Sequence, residues 1–194
     1  MSKIAGELDL LKKEIRILGL SAPPRASRNS EAIPVVGVVF RGSLWLDGVI
    51  SCLVQPRRRD YLKVLVRSIK GSKQYSQIRA VIFSKEQLFN GKKIDIGVLA
   101  RKINRPAISL LASGRNVRTR RDSMKALKTP VFKVRIHGKP MWVRCAGISE
   151  NETRQILAVG SAGEERVPEA VRVAYLIAKQ LSKSNFLVKK PSKA

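Results

Sequence analysis

Eight consecutive residues, Ile33 to Phe40, read Ile-Pro-Val-Val-Gly-Val-Val-Phe and carry no polar side chain. A strand with one face in water alternates apolar and polar residues, so an unbroken run of this length predicts a strand covered on both faces. Covering both faces takes helices above and below a sheet, and the rest of the chain supplies them. Apolar strand-like runs at Ile15–Leu20, 43–54, Ile78–Phe83 and Pro106–Leu111 are followed by, or alternate with, helical patterns at Asp60–Lys70 and Ile94–Ile103. Strands first, then strands alternating with helices, is an α/β pattern. The opening hairpin-like strands predict a mixed sheet rather than a wholly parallel one.

Local signals set the expected boundaries. Pro23 and Pro24 cannot donate to a ladder and end the first strand, leaving a polar loop over 21–32. Arg41-Gly42-Ser43 turns the chain into the next strand, which contains Asp47-Gly48. Asp60 is placed to cap the first of the two helices. Val131–Ile136 and Pro140–Cys145 read as strands joined by the turn His137-Gly138-Lys139. Ser149 with Glu152 three positions on is the capping-box pattern of a helix over 149–159. Val167, Val171, Ala174, Ala178 and Leu181 recur at spacings of four and three and predict a final helix, with Pro168 in its first turn. Ile4, Leu8 and Leu11 share a helical face near the N-terminus. The expected organisation is an N-terminal helical extension (1–13), one domain (14–182) and a basic tail (183–194).

Charge then limits the partners. The chain has 39 Lys and Arg against 14 Asp and Glu, a net charge of +25 on 194 residues. Like charges on one small body oppose compaction, and a polyanion relieves them. The basic residues lie on strands, loops and both tails rather than beside an amphipathic, lipid-seeking helix, so nucleic acid is expected and a membrane surface is not. A hydrophobic content of 44% is ample for a core, unlike a disordered basic tail. No apolar run approaches the roughly 18 residues of a membrane span, and Met1-Ser2-Lys3 leads into no secretory segment. Cys52 and Cys145, each in an apolar run, are expected as free thiols in a reducing, cytoplasmic setting. Two cysteines and one histidine offer no zinc spacing. No cofactor and no small-molecule substrate is expected.

The basic positions expected to meet phosphate are Arg57, Arg58 and Arg59, poorly paired by the single Asp60, and the cluster Arg115, Arg118, Arg120, Arg121, Lys125 and Lys128 around Asp122. Guanidinium offers planar, bidentate donors suited to phosphate. Lys133, Arg135, Lys139 and Arg144 extend that patch, and Lys189 and Lys190 continue it into the tail. Period-two alternation puts Lys133 and Arg135 on one face of their strand and Phe132, Val134 and Ile136 on the other. Trp45 and Trp142 are read as core or edge residues rather than a stacking platform. With only 5% aromatic residues, the partner expected is structured RNA recognised by backbone and shape. His137 is read as a surface turn residue and Glu169 as an ion-pair or helix-dipole partner.

Several segments together resemble a known group. VVGVVFRG (35–42) with DGV (47–49), IDIGVLARKI (94–103) with PAISLL (106–111), and ERVPEAVRVAYLIAKQL (165–181) are similar to an uncharacterised archaeal protein family related to endonuclease V. The similarity spans about residues 14–182, and Pro168, Glu169, Arg172 and Ala174 carry its sharpest pattern. The resemblance implies a ribonuclease-H-like fold, a mixed five-stranded sheet flanked by helices. In endonuclease V this fold cuts nucleic acid with divalent metal held by carboxylates. This chain departs at each matching position: Ser21 and Ala22 stand where the family has an acidic pair, Ser84 where it has an Asp, and Tyr175 where it has Asp or His. Hydroxyls and a phenol are poor ligands for a hard cation. The expectation is a non-catalytic RNA-binding protein on a nuclease scaffold, contacting rRNA and ribosomal proteins. The alternatives are a metal-dependent nuclease with ligands relocated to Glu14, Asp47 or Asp95, a DNA-binding repair or chromatin accessory protein, and a membrane-surface protein.

Overall fold

The computed structural model describes residues 14–23, 32–55, 60–84, 94–111, 129–163, 165 and 167–183. Their elements are strands β1 (Arg16–Ser21), β2 (Ile33–Arg41), β3 (Trp45–Val54), β4 (Ile78–Phe83), β5 (Ala107–Leu111), β6 (Val131–Ile136) and β7 (Lys139–Ala146). The helices are α1 (Tyr61–Lys70), α2 (Ile96–Ile103), α3 (Glu150–Gly160) and α4 (Glu169–Lys183). The strands form one mixed sheet in the order β3-β2-β1-β4-β5-β7-β6. Only β1–β4 and β4–β5 are parallel pairs; the rest are antiparallel. The five-stranded sheet implied by the family resemblance is therefore an underestimate. Five strands make the core, and the β6–β7 hairpin extends it past β5.

The uninterrupted apolar run of β2 is buried as its sequence requires. Val35 and Val39 enter the layer under α1 and α2, with Leu18, Val81, Leu65 and Leu99. Val36 and Val38 enter the opposite layer under α3 and α4, with Ile17, Ile82, Ile156 and Ala174. Gly19 of β1 is where α4 comes closest: a Cβ there would lie 2.2 Å from the carbonyl carbon of Ala170. Only a residue without a side chain admits that approach.

Ser149 and Glu152 form the reciprocal capping box at α3, as the sequence predicts. Asp60 stands at the N-terminal cap of α1 but its side chain makes no capping hydrogen bond; Asp95 does cap α2, its Oδ1 accepting from the Val98 N–H at 2.9 Å. Pro168 lies just before α4 rather than inside it, its carbonyl accepting from Val171 and Arg172. At the β6–β7 turn His137 and Gly138 both have positive φ (48° and 75°), the signature of a two-residue turn matched to strand twist. Cys52 and Cys145 are free. No helix among the described residues is long and apolar enough to cross a membrane.

Candidate nucleic-acid interface

Strands β1 and β4 run parallel and end side by side, with Leu20 level with Phe83. Ser21, the last residue of β1, is fully buried, and its Oγ shares a hydrogen bond of 3.1 Å with Ser84 Oγ, just past β4. The Ser84 N–H donates to the Leu20 carbonyl and fixes the two ends together. Ala22 beside them is buried. Next to this pair a cleft of about 350 Å³ opens between α4 and the ends of β5 and β7. Ser84, Trp142, Glu165, Arg172 and Tyr175 give it polar and aromatic character, over an apolar floor that includes Leu110, Met141 and Val171. The structure thus brings Ser84 and Tyr175 to one cleft, and joins Ser21 to it through a hydrogen bond.

These donors do not fit the divalent cation that the family resemblance implies. Two carboxylates about 3 Å apart repel unless a proton or a cation sits between them. Two serine hydroxyls at that separation satisfy each other and carry no charge for a cation to neutralise. Magnesium is held through anionic oxygens, whereas Ser21 and Ser84 present hydroxyls and Tyr175 a phenol. Among the described residues, no three His, Cys, Asp or Glu side chains stand close enough to hold an ion.

The carboxylates considered as relocated ligands lie away from this crevice. Glu14 is exposed at the opposite end of β1 from Ser21. Asp95 caps α2, on the far face of the sheet from α4. Asp47 accepts from Arg16 Nε at 2.6 Å and from Arg41 Nη2 at 3.0 Å, near the start of β1. Burial pushes the Asp47 carboxyl up, but the hydrogen bonds from Arg41 and Arg16, and their charges, outweigh it and leave the group below its ordinary value. A carboxyl depressed by folding contributes stability above its unfolded pKa and loses it as pH falls through the folded value. Asp47→Asn is therefore expected to cost about 1 kcal/mol at neutral pH. The gap from wild type should begin to narrow as pH falls through the unfolded value of about 4 and close only below the lower folded value. Urea denaturation at neutral and acid pH reads this; a gap independent of pH would contradict it.

Basic side chains are placed as the alternation predicts. Lys133 and Arg135 are exposed on the outer strand β6 while Val134 and Ile136 are buried beneath. Arg144 of β7 pairs with Val131 and so shares their face. Lys139 is exposed at the hairpin turn. The expected phosphate contacts at Arg57, Arg58, Arg59, Arg115, Arg118, Arg120, Arg121, Lys125, Lys128, Lys189 and Lys190 lie outside the described residues. Trp45 is 66% exposed at the start of edge strand β3, and Trp142 is half-buried in the cleft. His137 is exposed in its turn, as expected.

Two features escaped the sequence. Arg172 reaches the cleft while holding buried Glu169 through both carboxylate oxygens, at 2.7 to 3.1 Å. The Pro-Glu-x-x-Arg-x-Ala pattern was its signal: Glu169 and Arg172 are an ion pair, and Ala174 packs flat on the sheet. The cleft itself left no signal, because its walls come from four separated stretches of the chain.

Known proteins match this architecture. A UPF0215 protein of Methanosarcina barkeri is 31% identical over 180 residues, which cover 87% of this chain and 91% of that protein. The crystal structure of a protein of unknown function from Archaeoglobus fulgidus superposes with a TM-score of 0.68 at 18% identity, covering 86% of this chain and 97% of that one. Endonuclease V of Ciona intestinalis, in complex with a 24mer DNA containing an inosine followed by a ribo-adenosine, superposes with a TM-score of 0.62 at 14% identity. That match covers 88% of this chain and 87% of the other. The fold is the ribonuclease-H-like fold of endonuclease V. A family model described as Endonuclease dU matches residues 13–182, and the chain belongs to that family.

Proposed function

We propose that this protein binds nucleic acid on an endonuclease V fold without cleaving it by divalent-metal chemistry. The observation that carries the reading is the neutral Ser21–Ser84 hydrogen bond at the paired ends of β1 and β4. The net charge of +25 and the exposed Lys133, Arg135 and Lys139 support the binding half of it. Trp142 and Tyr175 in the cleft are aromatic faces on which a base can stack.

Folded RNA is the preferred partner in this reading, because positive charge spread over the whole sequence suits embedding among many phosphates. The ribosome, named from charge alone, draws nothing from the relatives: the Ciona intestinalis protein holds DNA. Folded rRNA and duplex DNA are therefore the two arms of the test. The logarithm of affinity is expected to fall linearly with the logarithm of salt concentration, by roughly 0.7 to 0.9 per phosphate contacted. Lys133→Ala with Arg135→Ala should flatten that slope by about 1 to 2. Affinity for folded RNA at or below that for duplex DNA would remove the RNA preference, and a salt-independent affinity would remove the reading itself.

The second reading, a nuclease, is favoured by the family's description. It requires anionic ligands in the crevice where the serines stand.

A further inference from the structure

The two edges of the sheet are built differently. At one edge β6 carries exposed Lys133 and Arg135, charges of the kind that discourage strand pairing. At the other edge β3 has no such guard. Residues 42–55 include one charged side chain, Asp47, and Arg16 and Arg41 already hold it. Helix α4 lies over β1 and β2 and leaves β3 largely uncovered. Leu46, Val49 and Leu53 consequently remain 51%, 52% and 54% exposed. Their partners on β2 are Phe40, Val38 and Pro34, which sets all three on the α4 side of the sheet. Leu44 and Trp45 beside them are more exposed still.

An apolar stripe along an unguarded edge marks an association surface, and charge identifies its occupant. A polyanion finds no cation along residues 42–55. Trp45 is level with Arg41 and so with Arg16, at the start of β1, whereas the Ser21–Ser84 crevice is at its end; a strand lying in the crevice is far from that tryptophan. For a second copy of this strongly basic chain, the strand offers an apolar face on the α4 side that carries no cation of its own, with Lys73 bordering Val49–Ser51 from the α1 side.

The strand also supplies a symmetry point. Its register shifts at Asp47, between the pairs Val39–Gly48 and Phe40–Leu46. The regular stretch is Gly48–Val54, and Ser51 is its midpoint. Antiparallel pairing about Ser51 sets Val49 against Leu53 and Ile50 against Cys52 of the second copy. It also satisfies the open backbone groups of both edges. We propose that the protein is a homodimer in which β3 pairs with β3 across a two-fold axis at Ser51, joining two seven-stranded sheets and leaving both basic β6 edges outward.

Sedimentation of the full chain over a concentration series, in low and high salt, is the test. The expected species has twice the 21.6 kDa chain mass. Its self-association should tighten with salt as repulsion is screened, the opposite of the response expected for nucleic-acid binding. Ser51→Cys in a Cys52→Ser background should cross-link the dimer on mild oxidation. Val49→Lys with Leu53→Lys sets like charges against one another in an apolar stripe and should weaken association roughly 100-fold or more. Circular dichroism and the thermal midpoint should stay near wild type, since both sites are exposed.

A wild type that stays monomeric at every concentration and salt would overturn the proposal. A dimer that Ser51→Cys fails to cross-link would overturn the axis. Nucleic-acid affinity lost in the lysine variant of a monomeric wild type would assign the stripe to nucleic acid. Sedimentation with anionic vesicles that Trp45→Ala abolishes would assign it to lipid.

Discussion

Ser21→Asp together with Ser84→Asp is expected to destabilise the protein severely in EDTA and to regain much of the loss when Mn²⁺ or Mg²⁺ is added. Ser21 is fully buried, and its Oγ lies 3.1 Å from that of Ser84. Two carboxylates placed there would exchange a satisfied neutral pair for two close like charges, the one at position 21 out of water and the one at 84 half-buried at the cleft. Leaving one buried charge unpaired costs about 3 to 5 kcal/mol, a large share of the 5 to 15 kcal/mol typical of a domain. A divalent ion would supply the missing opposite charge and couple binding to folding. Thermal denaturation with and without metal reads the effect directly. Stability unchanged in EDTA, or lost but unaffected by metal, would mean that the crevice is not shaped to hold an ion. The neutral hydrogen bond would then lose its interpretation as the trace of a metal site.

Gly19→Ala is expected to be nearly as damaging, for a steric reason. The new Cβ would lie 2.2 Å from the Ala170 carbonyl carbon and 2.4 Å from both its oxygen and the Val171 nitrogen. All three are backbone atoms, so no rotamer change relieves the clash and α4 must move away from β1. Overpacking that a side chain cannot absorb costs about 1 to 3 kcal/mol, at times more; here the rigid neighbour sets the expectation at the upper end. Because α4 carries Arg172 and Tyr175 into the cleft, nucleic-acid affinity should fall with stability. Gly160→Ala is the control. Its Cβ would meet Ile17 Cδ1 at 2.8 Å, the far end of a flexible side chain, so a change within about 1 kcal/mol is expected. Equal effects from the two substitutions would contradict the close-packing account of β1 and α4.

What could be read from the sequence follows the range of the forces involved. The Ile33–Phe40 run announced a strand buried on both faces, because composition along one strand reports its own two faces. Ser149 with Glu152, and the alternation of Lys133 and Arg135 with Val134 and Ile136, were legible because a cap and a pleat act within a few residues. Asp60 misled because capping needs side-chain geometry as well as residue type, and Asp95, one position past the expected helix start at Ile94, did the capping of α2. The Asp47 ion pairs could not be foreseen: Arg16 is 31 positions away, and a strand register brings the two together. The Ser21–Ser84 contact spans 63 positions; the family resemblance singled out both residues, but only the parallel pairing of β1 and β4 shows them bonded to each other. The exposed stripe of β3 was equally hidden, since Trp-Leu-Asp-Gly-Val-Ile-Ser-Cys-Leu-Val reads as an ordinary strand until its place at the sheet edge is known.

Purified protein in excess over a labelled strand carrying dU or inosine, with Mn²⁺ or Mg²⁺ present, is followed in a single turnover for both retention and strand integrity. The strand should be retained at low salt and recovered intact at every time point, with or without metal. Metal-dependent nicking that Ser21→Ala or Ser84→Ala abolishes would show that this crevice still performs the chemistry its residues are argued to have lost.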